Sequence, residues 1–353
     1  MLKINRLLQD KADGVFLSDK SVSKGISSPG NRPPIFKVIA KFISADKILL
    51  IIHENPDGDT LAAATVLYSV LKGLGKNPAM VCKDAVPKPF LFLPLVDKIH
   101  HDLLFGDFDV ITVIDCGDTR RTGFADRLKE FARTKRKTVI NIDHHPKNDL
   151  HKIAHYNLVD NDVSSTSEIV YELCKQMNVD FDKDLSTALL TGIYTDTGGF
   201  KHSNTSCATL KIASELLRTG GRIKLITKNI SLNKTIPALK LWGIALKRMY
   251  KHESLGIVSS VITRRDLVDC EATDDDLAGV VNLINSVPDS RAAILFCETA
   301  DGKIRASVRT ESDKVDVSRL AAIFGGGGHR KAAGFTVCGS LKITGNLWEI
   351  VLN

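Results

Sequence analysis

The sequence lacks the features that mark several protein classes. Its seven cysteines are odd in number and contain no C-x-x-C pair, which argues against a disulfide framework and a zinc knuckle. We therefore expect a reducing, cytoplasmic location. The longest aliphatic run, Ile48 to Ile52, is far shorter than the ~20 residues of a membrane helix. The first residues, MLKINRLLQDKADG, hold no apolar core of signal-peptide length, so we expect neither a membrane partner nor a secretory signal.

Strong charge imbalance, internal repeats and long low-complexity segments are also missing. The formal net charge of +7 favours an anionic partner, although a slightly basic surface explains it equally well. A length of 353 residues exceeds what one small core needs, and we expect two domains.

From Phe36 onward, apolar strands alternate with helices. The pattern predicts strands at 48–53, 109–115 and 138–143, and helices at 60–75, 164–177 and 184–196. Apolar strands that alternate with helices are typical of a mainly parallel sheet with helices on both faces. We therefore predict an α/β fold for this part of the chain.

Changes in composition and hydrophobic pattern along the sequence divide the chain into four predicted segments. Residues 1–35 read as an extension, which we expect to be flexible, and 36–225 as the first domain. Residues 226–252 are predicted to connect the domains, with a helix in PALKLWGIALKRMYKH (237–252). Residues 253–353 are predicted to form a smaller α+β domain, in which KAAG (331–334) begins a small-residue helix.

Acidic and imidazole residues follow the predicted strands, as in VINIDHHP (139–146), or end a helix, as in TGIYTDTGGF (191–200). Ligands bind beyond the carboxyl ends of the strands in such sheets, so we expect one cleft to collect these side chains. The candidates are His53, Asp57, Asp59, Asp115, Asp143, His144, His145 and Asp196. Asp118 and Asp160 are interpreted as turn residues or caps.

Carboxylates mixed with imidazoles suit Mn²⁺, with Mg²⁺, Fe²⁺ or Zn²⁺ as alternatives. There are too many acids for one four-coordinate ion, and without cations these carboxylates would repel one another. Two divalent cations ~3.5–4 Å apart that share a bridging carboxylate would relieve the repulsion and could clamp a phosphoryl displacement.

A second candidate region is the glycine-rich stretch FGGGGHRKAAGF (324–335). Gly326, Gly327 and Gly328 lack a Cβ, so their backbone N–H groups could approach a phosphate or a base closely, next to His329. A flexible loop is the alternative interpretation. Arg309 could offer its planar fork to a substrate phosphate.

Two further basic residues near this stretch, Arg305 and Lys331, are weaker candidates for binding a phosphate. A solvated surface charge is the alternative interpretation for each of them.

The motifs HENPDGD, IDCGD, IDHHP and TGIYTDTGGF resemble, in this order, the four motifs of the DHH phosphoesterase superfamily. GGGGHRKAAGF resembles the signature of its DHHA1 domain, and RASVRT with SRLAAIFGGGGH resembles the branch of bifunctional oligoribonucleases and pAp phosphatases, where pAp is 3′-phosphoadenosine-5′-phosphate. The resemblance runs from about Phe36 to the C-terminus. Ala62 and Ala63 depart from it, since relatives usually carry Gly-Ser there.

The resemblance implies two divalent cations. His53 and Asp57 would hold one, and Asp59, His144 and Asp196 would hold the other. Asp115 would bridge both. It further implies that His145 contacts the scissile phosphate. Asp143 would orient the neighbouring histidines, as metal-bound imidazoles commonly require.

The resemblance also implies the activity and its partners. Short single-stranded RNA or dinucleotides would be hydrolysed to mononucleotides and pAp to AMP, with the DHHA1 domain gripping the nucleotide. A second copy of the chain, forming a homodimer, is a further candidate partner.

Other functions remain open at this point. They are a linear or cyclic dinucleotide phosphodiesterase, a RecJ-like single-strand exonuclease, a manganese pyrophosphatase and a catalytically dead nucleotide- or RNA-binding module.

Overall fold

The structure is a computed structural model that describes residues 35–352, with gaps at 103–106, 136, 146–148, 232–233, 313, 329 and 345–346. The chain divides into two compact units between residues 233 and 234. The predicted N-terminal extension lies outside the described residues apart from Ile35, which begins the first helix.

The first unit is built on a six-stranded sheet whose strand pairs are all parallel. Its strands are β1 (Lys47–Ile52), β2 (Asn77–Val81), β3 (Ile99–His100), β4 (Val110–Ile114), β5 (Thr138–Asp143) and β6 (Tyr156–Val159). The spatial order is β3-β2-β1-β4-β5-β6, so the order reverses between β1 and β4. Such a switch point is where open α/β sheets bind their ligands.

Helices cover both faces of this sheet, which confirms the predicted fold class. They are α1 (Ile35–Ser44), α2 (Gly58–Gly73), α3 (Ala125–Arg133), α4 (Leu150–Ile153), α5 (Thr166–Gln176), α6 (Lys183–Asp196), α7 (Cys207–Arg218) and α8 (Ile223–Ile230). Leu50 and Ile52 of β1 belong to the core that includes α2, α5 and α6. Leu49 and Ile51 point to the opposite face, where they join Leu128 of α3. Alternate residues of β1 are thus buried on both sides, as expected for a central parallel strand.

Local sequence explains where helix α2 begins and ends. The side chain of Asp57 accepts hydrogen bonds from the N–H groups of Asp59 (3.1 Å) and Thr60 (3.2 Å), which caps the first turn. Gly75 follows the helix in the left-handed conformation, with φ at 73°, which glycine adopts without steric cost. Ala62 and Ala63 lie fully buried within this helix.

All six predicted elements of the first unit exist, and each of their ends lies within two residues of the observed bounds. Strands β2, β3 and β6 were absent from the prediction. β2 contains Pro78, β3 has only two residues and β6 has four, so none of them shows a clear alternating pattern.

The second unit contains a seven-stranded mixed sheet. Its strands are β7 (Tyr250–His252), β8 (Ile257–Ile262), β9 (Ala292–Glu298), β10 (Lys303–Arg309), β11 (Gly327–Gly328), β12 (Ala332–Thr344) and β13 (Leu347–Leu352). They are arranged as β11-β12-β10-β9-β8-β7, with β13 paired to β12. Only the β8–β9 pair is parallel among the described strand pairs of this sheet.

Helices of the second unit also pack on both faces of its sheet. They are α9 (Ile236–Lys247), α10 (Arg264–Asp269), α11 (Val280–Ile284) and α12 (Val317–Ile323). Leu241 of α9 packs with Val258 and Ile262 on one face. Leu320 of α12 joins Phe335 on the other face.

Two local predictions in this unit are wrong. The helix predicted for 237–252 ends at Lys247, and residues 250–252 form β7, which pairs with β8. The predicted KAAG helix is instead the start of β12, where Ala332 pairs with Arg309 of β10. Alanine favours helices only slightly, and pairing with a buried neighbouring strand outweighs that preference.

Two further observations concern the chain as a whole. All seven cysteines are free thiols. Across the described ranges, no helix combines the length and apolar character needed to cross a bilayer.

Candidate metal centre

The carboxyl ends of three adjacent strands carry the candidate ligands of the first unit. His53 follows β1, Asp115 follows β4 and Asp143 is the last residue of β5. Since these strands are neighbours in the sheet, their ends meet at the switch point. The first turn of α2 brings Asp57 and Asp59 to the same place.

A first ligand group consists of His53, Asp57 and Asp115, whose ligand atoms all lie within 4.8 Å of one another. His53 Nε2 is 3.6 Å from Asp57 Oδ2 and 3.8 Å from Asp115 Oδ2. The opposite ring nitrogen, Nδ1, donates to the Glu54 carbonyl at 2.8 Å. This bond places the ring proton on Nδ1 and leaves the Nε2 lone pair for a ligand.

The Nε2 atom of His53 is buried and has no hydrogen-bond partner among the described residues. A buried polar atom without a partner costs free energy, so native proteins rarely leave one. A divalent cation would satisfy it, and carboxylate and imidazole donors suit such an ion. The residues present therefore fit a metal.

A second ligand group consists of Asp59, His144 and Asp196. His144 Nε2 lies 3.3 Å from Asp196 Oδ2 and 3.5 Å from Asp115 Oδ1. Asp196 is the last residue of α6, so a helix end completes this group beside the strand ends.

Asp115 lies next to both ligand groups and turns a different carboxylate oxygen toward each. Its Oδ2 faces His53 and its Oδ1 faces His144. The residue is buried, and its backbone adopts the left-handed conformation with φ at 56°. Non-glycine residues seldom adopt this conformation, and such strain often marks a functional site.

His145 and Asp143 form a tight pair beside the second group. The His145 backbone N–H (3.0 Å) and ring Nδ1 (2.6 Å) both donate to Asp143 Oδ1, and Gly117 N–H donates to Oδ2 at 3.1 Å. Burial would raise the pKa of Asp143, but the hydrogen bonds and charge of His145 outweigh burial and lower it. Asp143 thus contacts one of the two histidines, while His144 turns toward Asp196. The Nδ1 atom of His145 also lies 3.5 Å from Asp115 Oδ1.

The clustered carboxylates shift one another's pKa values in the absence of a cation. Burial, followed by repulsion from Asp59 and Asp57, raises the pKa of Asp115 well above its usual range. Burial and the charge of Asp59 raise the pKa of Asp196 to about 7. Burial pulls the pKa of His144 down, but Asp196 and Asp59 outweigh it and hold that pKa at about 9. A bound cation would reverse the carboxylate shifts, because its charge favours the ionised form.

The second unit holds the other candidates, and the structure separates the glycines by their surroundings. A Cβ on Gly326 would lie 2.2 Å from the Gly334 carbonyl oxygen, and one on Gly328 would lie 2.5 Å from the Ala332 carbonyl oxygen. These two glycines are thus required for close packing against β12. Gly327 is exposed with open space around it.

The remaining candidates of the second unit have varied positions. Arg309 is half-buried on β10, and its guanidinium donates to the Val308 carbonyl at 3.0 Å. Arg305 lies 3.3 Å from Asp274 and lines a hollow with Gly326. The Lys331 ammonium donates to the Glu311 carbonyl at 2.7 Å. His329 lies outside the described residues.

Two residues of the site escaped the sequence analysis. Thr166, the first residue of α5, donates its hydroxyl to Asp115 Oδ1 at 2.9 Å. Arg121 places its guanidinium 3.3 Å from His53 Nδ1. No local pattern in the sequence links Thr166 to Asp115, which lies 51 residues away.

Comparison with known proteins gives matches for both units. Residues 47–193 match the DHH family, N-terminal domain, and residues 257–347 match the DHHA1 domain. Two relatives are each named bifunctional oligoribonuclease and PAP phosphatase NrnA. The one from Thermus thermophilus is 28% identical over 86% of this chain and 88% of its own length. The one from Mycoplasma genitalium is 28% identical over 85% of this chain and 91% of its own length.

Among solved structures, this chain is similar to an exopolyphosphatase-related protein from Bacteroides fragilis. The match has a TM-score of 0.80 and 27% sequence identity, and it covers 87% of this chain and 91% of that one.

Proposed function

We propose that this chain, which carries a DHH domain at residues 47–193 and a DHHA1 domain at residues 257–347, is a phosphoesterase. It would hydrolyse short RNA oligonucleotides to mononucleotides and pAp to AMP. The observation that carries the proposal is the pair of ligand groups at the switch point. Asp115 is a member of the first group and lies 3.5 Å from His144 of the second. The names of the two relatives support the choice of substrates.

Six residues would hold two divalent cations: His53, Asp57, Asp59, Asp115, His144 and Asp196. Two bound cations would supply an activated water and neutralise charge on the phosphate. The buried position of Asp115 and its two oxygens, one toward each group, suit a shared ligand. We propose Mn²⁺ as the ion, since it accepts both imidazole nitrogen and carboxylate oxygen.

His145 is proposed to contact the scissile phosphate rather than a cation. Its Nδ1 is engaged by Asp143 at 2.6 Å, which fixes the orientation of the ring. A ring fixed in this way can present its other nitrogen to a phosphate oxygen without paying for reorientation during the reaction.

Arg309 and the backbone at Gly327 are proposed to bind the nucleotide. Arg309 carries a positive charge that matches a phosphate, and Gly327 is open to a close approach. Gly326 and Gly328 would support this loop through their packing against β12. His329 stays a candidate from the sequence alone, and a cytoplasmic location remains a prediction.

A time course with purified protein and Mn²⁺ tests the proposal on four substrates: a two-nucleotide RNA, a long single-stranded RNA, pAp and pyrophosphate. We expect preference for the dinucleotide and pAp. Preference for the long strand would indicate an exonuclease, and turnover of pyrophosphate alone would contradict the proposed substrates. A metal-free sample is the control and should show no turnover.

A further inference from the structure

The N-terminus of helix α5 reaches two of the candidate metal ligands at once. The backbone N–H groups of Thr166 and Ser167 donate to Asp59, at 2.6 Å to Oδ2 and 2.9 Å to Oδ1. The Thr166 hydroxyl donates to Asp115 Oδ1 at 2.9 Å. Thr166, Ser167 and Asp59 are fully buried, and Asp115 nearly so. One helix turn therefore contacts both oxygens of Asp59 and one oxygen of Asp115.

A buried network holds this turn in place. Ser165 caps α5 by accepting from the Glu168 N–H at 3.4 Å. The carboxylate of Glu168 in turn accepts from the Ser164 N–H at 3.1 Å and from the Thr209 hydroxyl of α7 at 2.9 Å. Glu168 is almost fully buried, so these bonds face little competition from water. The position of Thr166 is consequently determined from outside the ligand cluster.

Helix α6 leaves room for this arrangement at Gly192. A Cβ at that position would lie 2.0 Å from Ser167 Oγ and 2.6 Å from Asp59 Oδ1. The two polar groups thus occupy the space that any other residue at 192 would fill. Because residue 192 has no side chain, Asp59 and the N-terminus of α5 can pack directly against each other beside the backbone of α6.

The Thr166 hydroxyl bond selects one rotation of the Asp115 carboxylate. In that rotation Oδ1 faces Thr166 and His144, and Oδ2 faces His53. A carboxylate among like charges would turn away from them. The hydrogen bond from the Thr166 hydroxyl to Oδ1 opposes this rotation.

From this geometry we infer that Thr166 is a positioning residue for both metal sites: its backbone N–H orients Asp59 and its hydroxyl orients Asp115. The inference rests on the proposed two-cation site. Thr166 touches neither substrate nor reacting atoms in this role. It determines how well the shared carboxylate is placed before any ion binds, so its loss weakens metal binding.

The test is a titration of the metal-free chain with Mn²⁺ by calorimetry, in the wild type, Thr166→Val and Thr166→Ser. Valine keeps the shape and removes the hydroxyl, while serine keeps the hydroxyl. We expect two ions per wild-type chain and a loss of about 10- to 100-fold in affinity for Thr166→Val, the range seen for partners of metal ligands. Thr166→Ser should retain affinity close to the wild type.

Thr65→Val is the matched control. Thr65 is equally buried in α2, but its hydroxyl donates to the Leu61 carbonyl of its own helix at 2.9 Å. Its replacement should leave Mn²⁺ affinity unchanged. Circular dichroism checks folding, and if valine disturbs the fold, Thr166→Ala compared with Thr166→Ser decides the question.

Wild-type affinity in folded Thr166→Val would overturn the inference and leave the proposed function intact. A wild type that binds no pair of ions would overturn the two-cation proposal together with the inference. Intact ion binding without turnover of dinucleotide or pAp would remove only the proposed substrates.

Discussion

At the scale of single residues, the site depends on how each carboxylate oxygen is used. Asp115 lies between two imidazoles, and burial, followed by repulsion from its acidic neighbours, raises its pKa. Its negative charge is therefore unfavourable in the metal-free fold and favourable once cations are present. Removing the charge of Asp115 should therefore raise the stability of the metal-free fold and lower the hydrolytic activity.

We predict that Asp115→Asn lowers the rate of phosphoester hydrolysis by about a hundredfold to a thousandfold. The negative charge that develops in the transition state would lose its main electrostatic stabilisation. The melting temperature of the metal-free chain should rise, because a buried charge among like charges is removed. Hydrolysis assays and thermal unfolding measure the two effects. Asp160→Asn is the control, since the Asp160 side chain accepts from the Asp162 N–H in a turn. Full hydrolysis by Asp115→Asn would contradict the shared role.

His145→Ala should separate phosphate contact from metal binding. We expect two bound Mn²⁺ ions with wild-type affinity and a turnover number lower by roughly a hundredfold. Calorimetry and steady-state kinetics give the two readouts, with His101→Ala as an exposed control. The ring also lies within reach of Asp115 and His144. A parallel loss of metal affinity would therefore make His145 a ligand.

At the scale of elements, helix packing decides which small residues are replaceable. Alanine normally stabilises a helix relative to glycine by ~0.5–1 kcal/mol. Gly192 of α6 is an exception, because Ser167 and Asp59 fill the space beside it. Gly243 of α9 has no atom within 4 Å of an added Cβ.

We predict that Gly192→Ala destabilises the chain and weakens Mn²⁺ binding, whereas Gly243→Ala raises stability by about 0.5–1 kcal/mol. Chemical denaturation and metal titration of the two variants provide the comparison. Equal stabilisation by both would mean that α5 and α6 can separate at Gly192 without cost.

At the scale of the whole molecule, the acidic site links stability to pH and to metal. Folding raises the pKa of Asp196 to about 7 and that of His144 to about 9. A group whose pKa is raised by folding stabilises the fold below its unfolded pKa and loses that contribution as the pH passes through the folded value. Both groups therefore favour the metal-free fold at low pH.

The melting temperature of the metal-free chain should fall as the pH rises from about 5 to about 9. Saturating Mn²⁺ should raise it, by roughly 5–10 °C at a hundredfold excess over Kd and more strongly at high pH, where protons no longer compete. Scanning calorimetry across this range measures both trends. Asp196→Asn should flatten the metal-free trend, and the exposed Asp126→Asn should not. A pH-independent metal-free stability would contradict the shifted pKa values.

Much of the first unit could be predicted because its signals are local. Strand β5 was predicted with its observed bounds, and Asp57 and Ser165 occupy helix caps. Short strands such as β3 escaped, since two residues carry no periodicity. In the second unit, β12 was mistaken for a helix at Ala332, because its pairing with β10 lies outside any local window.

The order of residues along the chain specifies which chemical groups follow the apolar strands, and therefore a site of carboxylates and imidazoles. How those groups meet depends on the folded chain. Strand order placed β1 beside β4, Asp115 lies between two imidazoles with a left-handed backbone, and α5 contributes the Thr166 hydroxyl. The reason is physical: helix and strand preferences act over a few residues, whereas the burial and pairing that bring distant segments together depend on the whole chain.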